Sequence, residues 1–250
     1  MNNPIYARKD LHVILIGDSD MEQWPLHMIP TFSDTLKPDE VVRSNIHNHG
    51  RGGAILQDVV KMTRAFFQQE EYFQIQRNPL IFIACAGEND IGSGIRLESS
   101  VNSMEDLINL ILSRPISDQS TKIQEKRSKD QYESETILFF LGPKIEPWLI
   151  SDVTTRKQYI KLSKQMDKRI KNINLLRKGK NDDHYENVKF VDCLTLFCGE
   201  TKDVPGALYG GRATADDKYF KDDGLHLNDD GYMLWKELLE ESSLFHSRSV

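Results

Sequence analysis

The chain has 250 residues, a length that suits one domain with a full hydrophobic core. Hydrophobic residues make up 39% and charged residues 28%, which are ordinary proportions for a soluble globular protein. The formal net charge of -6 argues against a dedicated nucleic-acid-binding protein, and no apolar run reaches the roughly 18 residues of a transmembrane helix. The first ten residues lack the apolar stretch of a secretory signal, and the three cysteines, Cys85, Cys193 and Cys198, are typical of reduced thiols. We therefore expect a cytoplasmic protein.

Strand-like apolar runs alternate with amphipathic helical periods along the chain. The predicted strands are residues 11–16, 41–46, 80–86, 136–141 and 188–191. Apolar side chains recur every three or four residues in the predicted helical segments 55–66, 101–111, 159–176 and 232–239. This alternation predicts an α/β fold, a three-layer αβα domain with a parallel sheet of about five strands. We expect a single domain over residues 8–245, with the polar segment 117–135 as a surface insertion.

Two segments at opposite ends of the chain carry the residue types of a hydrolytic site. Ser19 follows the first predicted strand, where a hydroxyl is exposed at the carboxyl end of the sheet. Near the other end, Asp223 precedes His226 by three residues. A serine nucleophile needs a base, and the base needs a partner that holds its tautomer. The pattern predicts Ser19 as nucleophile, His226 as base and Asp223 as its partner, with Asp222 as an alternative to Asp223.

Two loops between these segments contain candidate donors for an oxyanion. Residues 50–53 are rich in glycine and precede a predicted helix, so a backbone N–H can approach a ligand closely. Asn89 follows the most apolar predicted strand and can present its side-chain amide. Together with the N–H groups of Ser19 and Gly53, Asn89 would complete an oxyanion hole of three donors. Gly50 and Gly52 remain alternatives to Gly53.

The order and spacing of these motifs resemble the four sequence blocks of the SGNH (GDSL) hydrolase family. The matching positions are Gly17-Asp18-Ser19, the glycine near position 53, Gly87-Glu88-Asn89-Asp90 and Asp223-x-x-His226. The resemblance implies a flavodoxin-like sheet and ester hydrolysis through an acyl-serine intermediate. It also implies the same roles for Ser19, Asp223 and His226, and the same oxyanion donors.

Further segments are similar to the branch of the family that includes platelet-activating-factor acetylhydrolase-like esterases. These segments are Trp24, Ala86 to Ile91, Lys144 to Trp148, and Asp223 to Tyr232 with Trp235. The segments 117–135 and 193–221 match the branch weakly. The resemblance to this branch implies a short acyl group, such as acetyl, on the substrate.

Several residues have a second interpretation. Asp20 departs from the family pattern, in which position 20 is apolar or small, and we expect it either to repel anionic substrates or to point to solvent. Trp24 and Trp148 are expected in the core more often than at a substrate wall.

His47 and His49 lack cysteine or carboxylate neighbours at metal-ligand spacing, so we predict no metal site. The lysines on the outer face of the predicted helix 156–180 indicate a solvated surface, with an anionic membrane surface as the alternative.

We expect a serine esterase that acts on a small-molecule or lipid ester without a cofactor or a metal. A lysophospholipase or other lipid-ester hydrolase, and an acyltransferase, would use the same residues. A catalytically silent binding module of the same fold is a further alternative. We expect no nucleic-acid partner and no transmembrane segment, and peripheral membrane contact and the oligomeric state stay open.

Overall fold

Five parallel strands form the centre of the protein, in the order β2-β1-β3-β4-β5. The computed structural model describes residues 10–30, 32, 45–115, 136–178, 187–199 and 214–244. The strands are β1 (His12–Gly17), β2 (Ile46–Gly50), β3 (Leu80–Cys85), β4 (Thr136–Leu141) and β5 (Val188–Val191). Every residue of β1, β3 and β4 is buried, as expected when helices cover both faces of a parallel sheet.

Helices connect the strands and form the two outer layers. They are α1 (Ser19–Glu22), α2 (Leu56–Phe66), α3 (Glu70–Ile75), α4 (Glu88–Gly92), α5 (Leu97–Leu112), α6 (Val153–Lys178), α7 (Cys193–Cys198) and α8 (Asp229–Leu244). Short 3-10 helices span Leu26–Met28, Pro147–Ser151 and Asp217–Tyr219. The predicted α/β fold with a five-stranded parallel sheet is confirmed. The predicted insertion 117–135 lies outside the described residues.

The second strand differs from the prediction for residues 41–46. The strand β2 begins at Ile46 and consists mostly of polar residues, while residues 41–44 lie outside the described residues. β2 tolerates polar residues because it is an edge strand and His47 finds hydrogen-bond partners. His12 and His47 lie 2.9 Å apart between Nδ1 and Nε2, and the Nδ1 atom of His47 also bonds to Glu71. His47 therefore lies within a hydrogen-bonded chain on the sheet, one residue beyond the predicted strand.

The carboxyl end of the chain packs against the segment that follows β1. The ring centroid of Trp24 lies 5.6 Å from that of Tyr232 and 5.3 Å from that of Trp235, and all three side chains are buried. Aromatic side chains bury large apolar areas, so this cluster of tilted rings fixes α8 against the end of β1. None of the helices in the described ranges combines the length and the hydropathy needed to cross a membrane.

Candidate active site

Ser19 lies in a tight turn at the carboxyl end of β1, which we name the serine turn (residues 17–20). A Cβ atom at Gly17 would lie 2.1 Å from the carbonyl oxygen of Cys85, so only glycine fits where β1 passes β3. The N–H of Asp18 donates to that same oxygen at 3.1 Å. The carboxylate of Asp18 then accepts the N–H of Asp20 at 3.1 Å and caps α1, whose first residue is Ser19. The Ser19 side chain is half-buried at this end of the sheet.

Asp223 and His226 contact each other directly in the histidine loop (residues 221–228). The carboxylate oxygen Oδ2 of Asp223 lies 2.8 Å from Nδ1 of His226. The second oxygen, Oδ1, accepts the N–H groups of Leu225 at 2.8 Å and His226 at 3.0 Å. The hydrogen bonds from the His226 side chain and from these backbone groups lower the pKa of Asp223 to about 2. Asp223 therefore stays ionised, holds the proton on Nδ1 of His226 and leaves Nε2 as an acceptor.

Contacts from α8 hold the histidine loop near the serine turn. The hydroxyl of Tyr232 donates to the backbone oxygen of Asp20 at 2.9 Å, which joins the helix after the loop to the residue after Ser19. Lys221, at the start of the loop, donates to the side chain of Gln23 at 2.6 Å. In the described part of the chain, no hydrogen bond joins Ser19 to His226. Catalytic hydrogen bonds of unliganded enzymes are often long and tighten when substrate binds.

The glycine loop (residues 50–54) contains one backbone N–H that suits an oxyanion. The N–H of Gly50 donates to the side chain of Asn48 at 2.9 Å, and that of Gly52 donates to Glu22 at 2.9 Å. Gly53 has a φ of 72° and, among the described residues, its N–H makes no hydrogen bond. The geometry therefore favours Gly53 over Gly50 and Gly52 as the donor.

Asn89 reaches the glycine loop from the end of β3. Its Nδ2 atom donates to the backbone oxygen of Ala54 at 3.2 Å, which places the amide beside Gly53 and leaves its second hydrogen for a ligand. The next residue, Asp90, accepts the N–H of Leu56 at 2.9 Å at the start of α2. These two bonds fasten the segment 87–90, which we name the asparagine turn, to the glycine loop. The structure thus brings Asn89 and Gly53 together.

A buried lysine lies between the serine turn and the asparagine turn. The ammonium of Lys144 is 2.5 Å from Oδ2 of Asp20 and 2.8 Å from Oε2 of Glu88, and the Lys144 side chain is 1% exposed. Both expectations for Asp20 were wrong, because its carboxylate points neither to substrate nor to solvent but into this ion pair. The sequence held a signal for the pair. Charges of opposite sign follow β1, β3 and β4, which end at the same edge of the sheet.

The same cluster contains two carboxyl groups whose burial favours their neutral form. Burial and the nearby Asp20 carboxylate raise the pKa of Asp18 well above its usual range. Burial and the nearby Glu88 carboxylate raise the pKa of Glu146 in the same direction. Ligand atoms of Asp18, Asp20 and Cys85 lie within 4.8 Å of one another. The Lys144 ammonium already supplies the positive charge beside these carboxylates, which leaves little reason for a metal ion there.

Exposed apolar side chains lie beside the histidine loop. Trp148 is 54% exposed, contrary to the expectation that it lies in the core, whereas Trp24 is buried as expected. The N–H of Trp148 donates to the backbone oxygen of Gly224 at 3.4 Å, two residues before His226. Ile150 and Leu225 are also exposed. We name Trp148, Ile150 and Leu225 the apolar rim.

Comparison with known proteins identifies the fold. No protein-family model and no curated protein sequence matches the chain. Among solved structures, the lipase Lip_vut3 from a goat rumen metagenome has a TM-score of 0.56 and 11% sequence identity, and the match covers 93% of this chain and 96% of the lipase. A member of the lipolytic protein G-D-S-L family from Veillonella parvula has a TM-score of 0.51 and 13% identity, with 94% and 98% covered.

A third solved structure is similar over nearly the whole chain. It is a Streptococcus pneumonia protein provisionally assigned as a platelet activating factor, with a TM-score of 0.50 and 17% identity, and the match covers 97% of this chain and 92% of the other. The strand order and helical layers described above agree with these matches. The chain therefore has the fold of the G-D-S-L lipolytic proteins, as the resemblance of its sequence motifs implied.

Proposed function

We propose that the protein hydrolyses carboxylic esters with Ser19 as nucleophile. The observation that carries the proposal is the 2.8 Å contact between Asp223 and Nδ1 of His226, because it leaves Nε2 free to accept a proton. A buried turn presents Ser19 at the same edge of the sheet, and α8 ties the histidine loop to that turn. Lipolytic proteins among the structural matches support ester hydrolysis as the reaction class.

In the proposed reaction, Nε2 of His226 takes the hydroxyl proton of Ser19 while Oγ attacks the ester carbonyl carbon. The carbonyl oxygen becomes an oxyanion, and the N–H groups of Ser19 and Gly53 and the amide of Asn89 donate to it. His226 then gives its proton to the leaving alkoxide, and the acyl group stays on Ser19. Water, deprotonated by His226, attacks the acyl carbon. The bond from that carbon to Oγ then breaks, His226 returns its proton to Oγ of Ser19, and the carboxylic acid is released. Asp223 stays ionised throughout and stabilises the imidazolium.

A short acyl group, such as acetyl, is the substrate feature that we propose first. This proposal rests on the resemblance of residues 86–91 and 144–148 to the platelet-activating-factor acetylhydrolase-like branch. An acyltransferase would use the same residues and differ only in the alcohol that accepts the acyl group. The presence of a nucleophile, a base and oxyanion donors together argues against a silent binding module, because a binding module does not need catalytic residues.

The apolar rim favours a second candidate, a hydrolase of lipid esters. Trp148, whose N–H bonds to the histidine loop, and Leu225, which lies in that loop, expose apolar area that a long acyl chain or a lipid surface would bury. Exposed clusters of this kind mark ligand or membrane contacts more often than scattered surface residues do.

Hydrolysis of p-nitrophenyl esters from acetate to palmitate tests both candidates. The wild-type protein is compared with Ser19→Ala and with Trp148→Ala. We expect turnover that depends on Ser19 and falls beyond short chains. Turnover that rises with chain length, and falls selectively for long chains in Trp148→Ala, would favour the lipid hydrolase. Equal turnover by Ser19→Ala on every ester would overturn the assignment of the nucleophile.

A further inference from the structure

We propose that Lys144 is a positioning residue that sets the distance between the nucleophile and the oxyanion donor, an inference that rests on the proposed function. Its ammonium bonds to Asp20 at 2.5 Å and to Glu88 at 2.8 Å. Asp20 directly follows Ser19, and Glu88 directly precedes Asn89. One cation therefore bridges the residues adjacent to both groups that must act on the same carbonyl.

The backbone of Lys144 reinforces the bridge. The N–H of Lys144 donates to Oε1 of Glu88 at 2.7 Å, while the ammonium bonds to Oε2 of the same carboxylate. Glu88 is thus held at both oxygens by one residue, which prevents its side chain from rotating. Because Glu88 lies in the first turn of α4, this pair of bonds also fixes the position of Asn89. Charge-assisted bonds of this length are among the strongest in proteins.

The charge balance of the cluster shows that Lys144 stays protonated. Burial alone would lower the pKa of Lys144, but the Asp20 and Glu88 carboxylates outweigh it and raise that pKa well above its usual range. Burial also raises the pKa values of Asp18 and Glu146, which favours their neutral forms beside the ammonium. The ammonium bonds directly to Asp20 and Glu88, whereas the nearest carboxylate oxygen of Glu146 lies 3.8 Å away.

Such a cluster is a costly way to stabilise a fold. Removing each ion from water costs several kcal/mol, and well-packed apolar residues are often as stable or more stable. The ion pairs offer directional bonds at fixed length, which apolar contacts do not. A catalytic site gains from that property, because a 1 Å misplacement of reacting groups can cost about 10²-fold in rate. The cluster lies where such a misplacement would matter, between the serine turn and the asparagine turn.

A variant in which the three charged residues of the bridge are replaced by uncharged ones tests whether the bridge positions the catalytic groups or only stabilises the fold. In the triple variant Asp20→Asn, Lys144→Met, Glu88→Gln, the ammonium and the two carboxylates that bond to it are neutralised together, so the bridge is lost without leaving one of its three charges unpaired. We expect kcat on p-nitrophenyl acetate to fall roughly 10- to 100-fold with KM within about twofold, since only the transition-state geometry is disturbed. The matched control is Lys171→Met, which removes an exposed lysine that pairs with Asp167. We expect Lys171→Met to keep the wild-type kcat.

A single variant covers the case in which the triple variant does not fold. Glu88→Gln keeps an acceptor for the backbone N–H of Lys144 and removes the charge that faces the ammonium. We expect a smaller loss of kcat, roughly three- to tenfold, with an unchanged KM and a cooperative thermal unfolding transition. Thermal unfolding of every variant is recorded beside the kinetics.

The outcomes distinguish this inference from the proposed function. Ser19-dependent turnover by the wild type, with kcat reduced in the folded triple variant or in Glu88→Gln, supports both. Wild-type turnover with kcat unchanged in a folded variant overturns the positioning role and leaves the esterase proposal intact. A wild type without any turnover overturns the proposed function and the inference that rests on it.

Discussion

Replacing Asp223 by Asn should change the tautomer of the His226 ring and leave the histidine loop in place. In the structure, Oδ1 accepts the N–H groups of Leu225 and His226, and Oδ2 faces Nδ1 of His226. The amide oxygen of Asn can keep both backbone bonds, which directs its NH₂ group at Nδ1. Nδ1 must then accept a hydrogen bond, so the ring proton moves to Nε2. A ring that carries its proton on Nε2 cannot take the proton of Ser19.

The expected loss is large because every other part of the site stays in place. A triad in the wrong tautomer loses about 10³- to 10⁴-fold in kcat, equivalent to about 4 to 5.5 kcal/mol of transition-state stabilisation. The assay is p-nitrophenyl acetate hydrolysis, with thermal unfolding to show that the loop is retained. Asp222→Asn is the matched control, since Asp222 is the exposed neighbour of Asp223 and should keep its full activity. Asp223→Asn with more than about a tenth of the wild-type kcat would show that Asp223 does not set the tautomer of His226.

Two other substitutions test separate parts of the structure. Asn89→Ala should lower kcat by about 10²- to 10³-fold with little change in KM. The control Asn102→Ala, on the exposed face of α5, should change neither constant. An unchanged kcat in Asn89→Ala would mean that Asn89 is not an oxyanion donor. Burial, and to a smaller extent the neighbouring His47, lowers the pKa of His12 to about 4. Between about pH 6.5 and pH 4 the unfolded chain therefore binds a proton at His12 that the folded chain does not, so the free energy of unfolding should decline as the pH falls through this range. In urea unfolding, His12→Gln should lessen this decline, by about 2 kcal/mol at most, and an equal decline in both proteins would contradict the account.

The sheet could be predicted largely because its central strands are apolar throughout. β4 and β5 have the predicted bounds, and β3 ends one residue earlier than predicted. β2 could not be predicted, because His47, Asn48 and His49 lack the alternation of a half-buried strand. His47 bonds to Glu71 and Asn48 donates to the backbone oxygen of Met21, and a local pattern cannot reveal partners so far away in sequence.

The site could be predicted as a set of residues but not as a set of contacts. Spacing alone indicated that Asp223 and His226 lie together, because three residues suffice for a side chain to reach back. The choice among Gly50, Gly52 and Gly53 needed the structure, since it depends on which N–H groups already have acceptors. The Lys144 bridge joins residues 20, 88 and 144, and only the sheet order brings these three together.

Labelling with a fluorophosphonate tests the central claim, that Ser19 is an activated nucleophile, more directly than turnover of any one ester. The reagent forms a covalent bond with activated serines and needs no knowledge of the natural substrate. Mass spectrometry of the intact protein and of its peptides then counts and locates the adduct. We expect one adduct, on the peptide that contains Ser19, and a strongly reduced labelling rate in Asp223→Asn. No adduct, or an adduct on another serine, would contradict that claim.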